Sequence, residues 1–114
     1  MRADSPEGLY SAVADAGVLR FLDAGRRTLS QTTLDASGAL LVQRVQFSAD
    51  GRWLAVGGTR EGQAVQFLVA VSGGKVLWER AAVGLVFDAK QPVAQLQLAS
   101  GEVQNVALRA GEQP

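Results

Sequence analysis

The chain has 114 residues, of which 47% are hydrophobic, and its 11 basic side chains are balanced by 11 acidic ones. This size and composition predict a single folded domain with a modest core, while the balanced charge excludes the basic surface that nucleic acid or an anionic membrane needs. The absence of His and Cys excludes Ser-His-Asp and Cys-His catalytic arrangements, disulfide bonds and the commonest metal ligand.

Hydropathy gives no sign of a membrane-spanning or secreted protein. The longest apolar runs, such as 67–71, are far shorter than the ~20 residues that a membrane-spanning helix needs, and the first residues lack the apolar stretch of a secretory signal. We therefore predict a cytoplasmic protein without a cofactor or a metal. The excess of Arg over Lys is typical of GC-rich bacterial genes.

The first 34 residues allow two interpretations. Residues 1–8 are polar and predict an irregular lead-in, although Ser5 and the proline after it are also typical of a helix start. Gly17 and Gly25 oppose a helix, because each glycine costs about 1 kcal/mol in a helix interior. The turn signals that contain these glycines are eight residues apart, which is the spacing of short hairpins. We therefore favour three strands, near 9–14, 18–22 and 26–34.

The stretch VQFSADGRWLAVGG, residues 45–58, predicts a hairpin most clearly. Val45 and Phe47 alternate with polar residues, and the next four residues have the side chains that form turns. An apolar run follows at 53–56, as in a strand that is buried on both faces. Together with the alternation further along, this stretch predicts strands near 41–47, 52–57, 63–71 and 75–81, with a polar loop at 57–62.

A third unit begins at Gly84. Residues 85–91 repeat the form of residues 45–51, and the two Phe residues in these segments are 40 positions apart. Alternating segments predict two more strands, near 93–98 and 102–108. The last residues, 111–114, predict a frayed end. We therefore treat the chain, 1–114, as one module with units at about 9–38, 39–83 and 84–110.

A repeat of about 40 residues with four short strands is typical of β-propeller blades. Residues 45–58 resemble the start of a WD40-type blade, and residues 72–78 resemble the turn into its outer strand. The Trp-Asp dipeptide of that family is absent near its expected position, Leu68-Val69, and a chain without His lacks the family's Gly-His pair. The resemblance is therefore to β-propellers in general.

The resemblance implies an all-β fold with about ten short antiparallel strands in two and a half to three propeller-like blades. The alternative is a small β-sandwich or barrel with an N-terminal helix. Closed propellers have roughly four to eight blades, so an arc of three leaves an apolar face open at each end.

Something must cover these two faces, so we predict a non-catalytic module for protein–protein interaction or scaffolding, which is part of a larger propeller or of a self-assembling arc. Its partner is another protein or a further copy of the chain. The alternative function is binding of a small molecule or a carbohydrate by a few-blade propeller. We predict that the chain is not an enzyme, because no convergent pair of carboxylates is evident.

The candidates for partner contact are Thr59, Arg60, Glu61 and Trp78. The first three lie in the loop 57–62, which a blade places on the same rim as 35–38 and 82–84. Trp78 stands among charged residues on the outer strand, and Trp is over-represented at protein interfaces. The loop lacks the Lys-Ser/Thr ending of a phosphate-binding P-loop, so a plain connection is favoured over a phosphate site.

Overall fold

A computed structural model describes residues 1–108, in which three antiparallel sheets follow one another along the chain. The strands of the first sheet are β1 (Arg2–Asp4), β2 (Tyr10–Asp15), β3 (Val18–Asp23) and β4 (Thr28–Thr33). Those of the second are β5 (Leu40–Phe47), β6 (Trp53–Arg60), β7 (Gln63–Ala70) and β8 (Lys75–Arg80). Those of the third are β9 (Gly84–Phe87), β10 (Val93–Gln97) and β11 (Val103–Ala107).

The all-β prediction is confirmed, because residues 1–108 contain eleven strands in sheets of four, four and three, and no α-helix. The first unit is therefore built of strands, and the alternative with an N-terminal helix is wrong. Residues 111–114, which were predicted to be frayed, lie outside the described residues.

Each sheet is a meander whose strands are paired in chain order. β1 packs against β5, whereas β4 packs against the short 3-10 turn Ser72–Gly74 that precedes β8. The first strands therefore lie on the inner side of the arc and the fourth strands on its outer side, as in propeller blades.

β6 separates two hydrophobic cores, as expected for a strand that is buried on both faces. Leu54 and Val56 point into the core between the first and second sheets, and Trp53 and Ala55 point into the core between the second and third. This alternation follows from the two-residue period of a strand. Each fully buried Leu or Val side chain contributes about 1.5–3 kcal/mol, so β6 ties all three sheets together.

The N-terminal segment is more regular than predicted. Arg2–Asp4 forms β1, which pairs antiparallel with the Ser11–Val13 part of β2. A strand of three residues is too short to show an alternating pattern, so hydropathy alone did not indicate it. β1 gives the first sheet its fourth strand.

The predicted loop 57–62 is mostly strand. β6 continues to Arg60, and only Glu61 and Gly62 form the turn, with φ angles of 52° and 80°. Positive φ at both residues is the type I′ geometry that matches the twist of a two-residue hairpin. Gly58 lies within β6. A Cβ at this position would stand 2.2 Å from the carbonyl oxygen of Leu41, which explains why the strand has a glycine there.

The two outer faces of the arc differ in chemistry. On the first sheet, Arg2 Nη2 and Ser11 Oγ both donate to Asp4 Oδ1, at 3.2 and 2.8 Å. On the third sheet, Val86 and Val103 are 36% and 52% exposed. The expectation of an apolar face at each end therefore fits the third sheet better than the first, where the outer positions carry an ion-paired, hydrogen-bonded network.

Candidate functional site

The turn between the first and second strands is built alike in all three sheets. A backbone N–H donates to the carbonyl oxygen five residues later, from Ser5 to Tyr10, from Ser48 to Trp53 and from Asp88 to Val93, each time at 2.9 Å. The meander places these turns on one rim of the arc, which we call the first rim. Hairpin turns and sheet connections on the opposite side form the second rim.

Side chains close these turns. Ser5 Oγ accepts a hydrogen bond from the backbone of Tyr10, and Ser48 Oγ accepts one from the backbone of Trp53, both at 3.1 Å. In the third sheet Asp88 takes this place, and its Oδ1 accepts the backbone N–H of Lys90 at 2.7 Å. Sequence reasoning missed the first turn, although Ser and Gly are spaced alike at 5–8 and 48–51.

A pocket of about 370 Å³ lies between the second and third of these turns; we call it the turn pocket. Its charged lining residues are Asp50, Arg52, Asp88 and Lys90. Carboxylates and cations therefore face one small space, next to the indole of Trp53. Such a set suits a polar ligand with hydroxyl or carbonyl oxygens.

The charge on Asp50 is stabilised within its turn. Partial burial opposes ionisation, but the Ser48 Oγ donates to Asp50 Oδ1 at 2.6 Å and the Arg52 N–H donates to it at 3.0 Å. These hydrogen bonds, with the nearby Arg52 charge, outweigh the burial and lower the pKa of Asp50. The turn pocket therefore contains an ionised carboxylate at neutral pH.

Arg60 is the centre of a polar cluster on the second rim. Its Nη1 and Nη2 donate to the two carboxylate oxygens of Glu79, each at 3.0 Å. Nε lies 3.6 Å from Asp35 Oδ2 and makes no hydrogen bond within the described residues. The guanidinium carbon is also 5.9 Å from the ring centroid of Phe67. The Glu79 hydrogen bonds, with the Coulombic attraction of both carboxylates, raise the pKa of Arg60.

The four predicted contact residues lie in three different environments. Thr59 and Arg60 are half-buried at the end of β6, and Glu61 is exposed in the turn. Trp78 is only 8% exposed because it packs in the core between the second and third sheets, where Arg80 stacks 5.4 Å from its ring. The structure brings the first three together on the second rim and places Trp78 inside the arc.

Residues 1–108 contain no cluster of three or more His, Cys, Asp or Glu side chains that could hold a metal ion. No helix of membrane-spanning length and hydropathy occurs in the same range.

Comparison with known proteins gives no match to a family model and no match to a curated protein. Solved structures do match. A candidate 6-phosphogluconolactonase from Bacteroides fragilis is similar to this chain with a TM-score of 0.67 and 10% identity, over 93% of this chain and 37% of its own. The periplasmic gluconolactonase of Pseudomonas aeruginosa gives 0.63 and 17% identity, over 100% and 36%.

The WD40 domain of SCAP from fission yeast is also similar, with a TM-score of 0.54 and 10% identity, over 100% of this chain and 30% of its own. These likenesses support the propeller fold. The chain spans about a third of the length of the structures it resembles. The comparisons do not confirm a specific resemblance to WD40 proteins beyond the general propeller fold.

The comparisons contradict the prediction of a non-enzymatic module, because the solved structures of this fold include proteins named as lactonases. The missing His argued only against catalytic arrangements that need an imidazole. The predicted cytoplasmic location is not confirmed either, since one of the similar proteins is periplasmic.

Proposed function

We propose that the chain works as part of a larger β-propeller, in which further blades cover the outer faces of its first and third sheets. The third sheet carries this proposal. It has three strands where the other two have four, and β11 pairs only with β10 among the described strands. An open edge with unpaired N–H and C=O groups is a template for another strand.

The outer face of the third sheet also supports the proposal. Gln95 is paired with Asn105 on one side and with Val86 on the other, so the strands of this face carry amides and valines. Asp88, beyond the end of β9, lines a pocket on the same face. Natural proteins protect exposed edges with charged side chains, as the outer strand β8 does with Lys75 and Glu79. The strand β11 at the open edge of the third sheet carries no such charge, so this edge suits pairing with another strand.

The further blades belong to a longer polypeptide, to a second copy or to another chain. The predicted contact residues Thr59, Arg60 and Glu61 remain candidates on the second rim, with Glu61 the most exposed of them. Trp78 has little surface left for a partner, since it is buried between the chain's own sheets.

Two matched valines test this assembly. Val103 lies on the outer face of the third sheet, and Val83 lies in the connection between the second and third sheets; they are 52% and 53% exposed. We expect Val103→Lys to place an unpaired charge in the interface and to shift sedimentation toward the 12.0 kDa monomer. Val83→Lys serves as the control and should sediment like the unchanged chain. Equal behaviour of the two variants would contradict assembly through a second copy.

Hydrolysis of a sugar lactone is a second candidate function, which the names of the similar structures favour. The turn pocket offers the necessary groups, since the Arg52 and Lys90 cations can stabilise a developing oxyanion and an ionised carboxylate can accept a proton from water. This same pocket would serve the predicted alternative of binding a small molecule or a carbohydrate.

The only two lysines of the chain, Lys75 and Lys90, provide the matched test. We expect proton release from δ-gluconolactone to exceed the spontaneous rate in proportion to protein concentration. Lys90→Met should lower the excess rate about tenfold or more, by analogy with the loss of an oxyanion donor, and Lys75→Met should leave it unchanged. A rate equal to the spontaneous one would eliminate lactone hydrolysis without affecting the assembly proposal.

A further inference from the structure

A second and larger groove opens on the first rim, between the first and second sheets; we call it the inter-sheet groove. Its volume is about 770 Å³, which is within the range of small-molecule sites. Phe21, Trp53 and Val71 line it, and the lip carries Tyr10 and Leu29. Tyr10 and Leu29 are 39% and 53% exposed, so large apolar side chains stand open to solvent at one place.

The walls of the inter-sheet groove are fixed by contacts within the arc. Phe21 packs against Phe47 with 6.4 Å between ring centroids, and the backbone of Trp53 is held by Ser48 Oγ. On the outer side, Thr32 Oγ1 donates to the carbonyl oxygen of Gly74 and so joins β4 to the loop before β8. A ligand can therefore bind in the groove without a large loss of conformational entropy in the protein.

The polar groups of the groove define the chemistry of its ligand. Arg52 is the only charged residue among the groove's described lining residues. It belongs to no ion pair within residues 1–108. The hydroxyls of Ser30 and Ser72 also line the groove. An apolar cleft with one cation and hydroxyl groups at its edge is complementary to an anion that has an apolar body.

We propose that the inter-sheet groove binds a small aromatic carboxylate, with its ring against Tyr10 and Leu29 and its carboxylate on the Arg52 guanidinium. The planar guanidinium can hold a carboxylate through two parallel hydrogen bonds. The site shares Arg52 and Trp53 with the turn pocket but opens toward the first sheet. It does not depend on the proposed assembly, since all of its lining residues belong to one chain.

Naphthalene-2-carboxylate and the neutral 2-naphthamide are suitable probes, because they share one ring system and differ in charge. Titrated into the ¹⁵N-labelled chain, both should shift the backbone amides of Ser30, Ser72 and Gly73. Arg52→Gln should weaken the carboxylate about fivefold, as expected for an exposed ion pair, and leave the amide unchanged. Arg20→Gln, which changes an exposed arginine outside the groove, is the matched control.

A substitution that fills the groove gives an independent test. Ser72→Phe should weaken both probes at least about tenfold, since it places a ring where the ligand's ring lies. Three results would overturn the proposal: no amide shifts in the groove at millimolar probe, an equal effect of Arg52→Gln on both probes, or unchanged binding to Ser72→Phe. Shifts confined to the third sheet would place the probes on the outer face and overturn it as well.

Discussion

Asp35 fixes the connection between the first and second sheets. Its Oδ1 accepts from Ser37 Oγ at 2.8 Å, and its Oδ2 accepts the backbone N–H of Leu40 at 2.9 Å. The Ser37 hydrogen bond is the main cause of a lowered pKa, with smaller contributions from the backbone groups and Arg60, and partial burial opposes it. The ionised carboxylate therefore stabilises the start of β5.

We expect this contribution to depend on pH. Because the pKa of Asp35 is lower in the folded chain, its stabilisation is complete above the unfolded value of about 3.9 and is lost as the pH falls through the folded value. Asp35→Asn should lower the urea midpoint at pH 7, and the two chains should converge as the pH falls below the folded pKa of Asp35. A constant difference between them across this range would contradict the assignment.

Gly58 is required by close packing of backbone in the second sheet. A Cβ at this position would stand 2.2 Å from the carbonyl oxygen of Leu41, beside the irregularity in β5 between Val42 and Arg44. We expect Gly58→Ala to destabilise the chain by about 1–3 kcal/mol through overpacking. Gly25→Ala is the control and should leave the midpoint nearly unchanged, since its φ is not left-handed and a Cβ there would meet only the Asp23 carboxylate, at 3.4 Å. Thermal unfolding of the two variants measures the difference.

At the scale of elements, two of the hairpins have the same two-residue turn. Ala16 and Gly17 have φ angles of 51° and 82°, close to the 52° and 80° of Glu61 and Gly62. Gly suits its position, but Ala and Glu are poor residues for the left-handed region, which Asn tolerates better.

We therefore expect Glu61→Asn to stabilise the second sheet by roughly 0.5 kcal/mol, the scale of a relieved backbone strain, and Ala16→Asn to do the same in the first. The midpoint of urea unfolding measures the change in stability. Glu79→Asn, which lies in the strand β8, is the control and should lower the midpoint. A lower midpoint for both turn variants would contradict the turn geometry.

The strands that could be predicted are those whose sequence carries a two-residue period or a turn signal. Phe47 and Phe87, identified as equivalent from their spacing, do end the first strands of the second and third sheets. β1 was missed because three residues show no period. The extent of β6 was underestimated because Gly57 and Gly58 resemble a loop. A Cβ at Gly57 would meet the side-chain amide of Gln66 and one at Gly58 the carbonyl oxygen of Leu41, so close packing within the sheet explains both glycines.

The candidate sites were harder to predict because their residues are far apart in the sequence and meet only in the folded chain. Arg60 was singled out from its sequence neighbours, but its partners Asp35 and Glu79 lie 25 and 19 positions away and meet it only in the folded sheet. The turn pocket unites residues of two turns that are 40 positions apart. Sequence spacing indicated each turn but did not show that charged side chains from both face one space.

At the scale of the whole molecule, three sheets in a row make an arc with extents of 42 × 35 × 21 Å. The second sheet is buried on both faces, and the first and third are each covered on one. Stability of such an array is the sum of its units and their interfaces. The arc therefore gains most stability if further blades cover its ends, above all the third sheet, whose strands contain no charged residue.

Light scattering of the chain at micromolar concentration, with an apolar dye added to the same fractions, measures whether the outer faces are covered by assembly. We expect a mass above the 12.0 kDa of one chain, with dye fluorescence that rises when Val103→Lys separates the assembly. A stable, fully folded species of 12.0 kDa that binds no dye would contradict it.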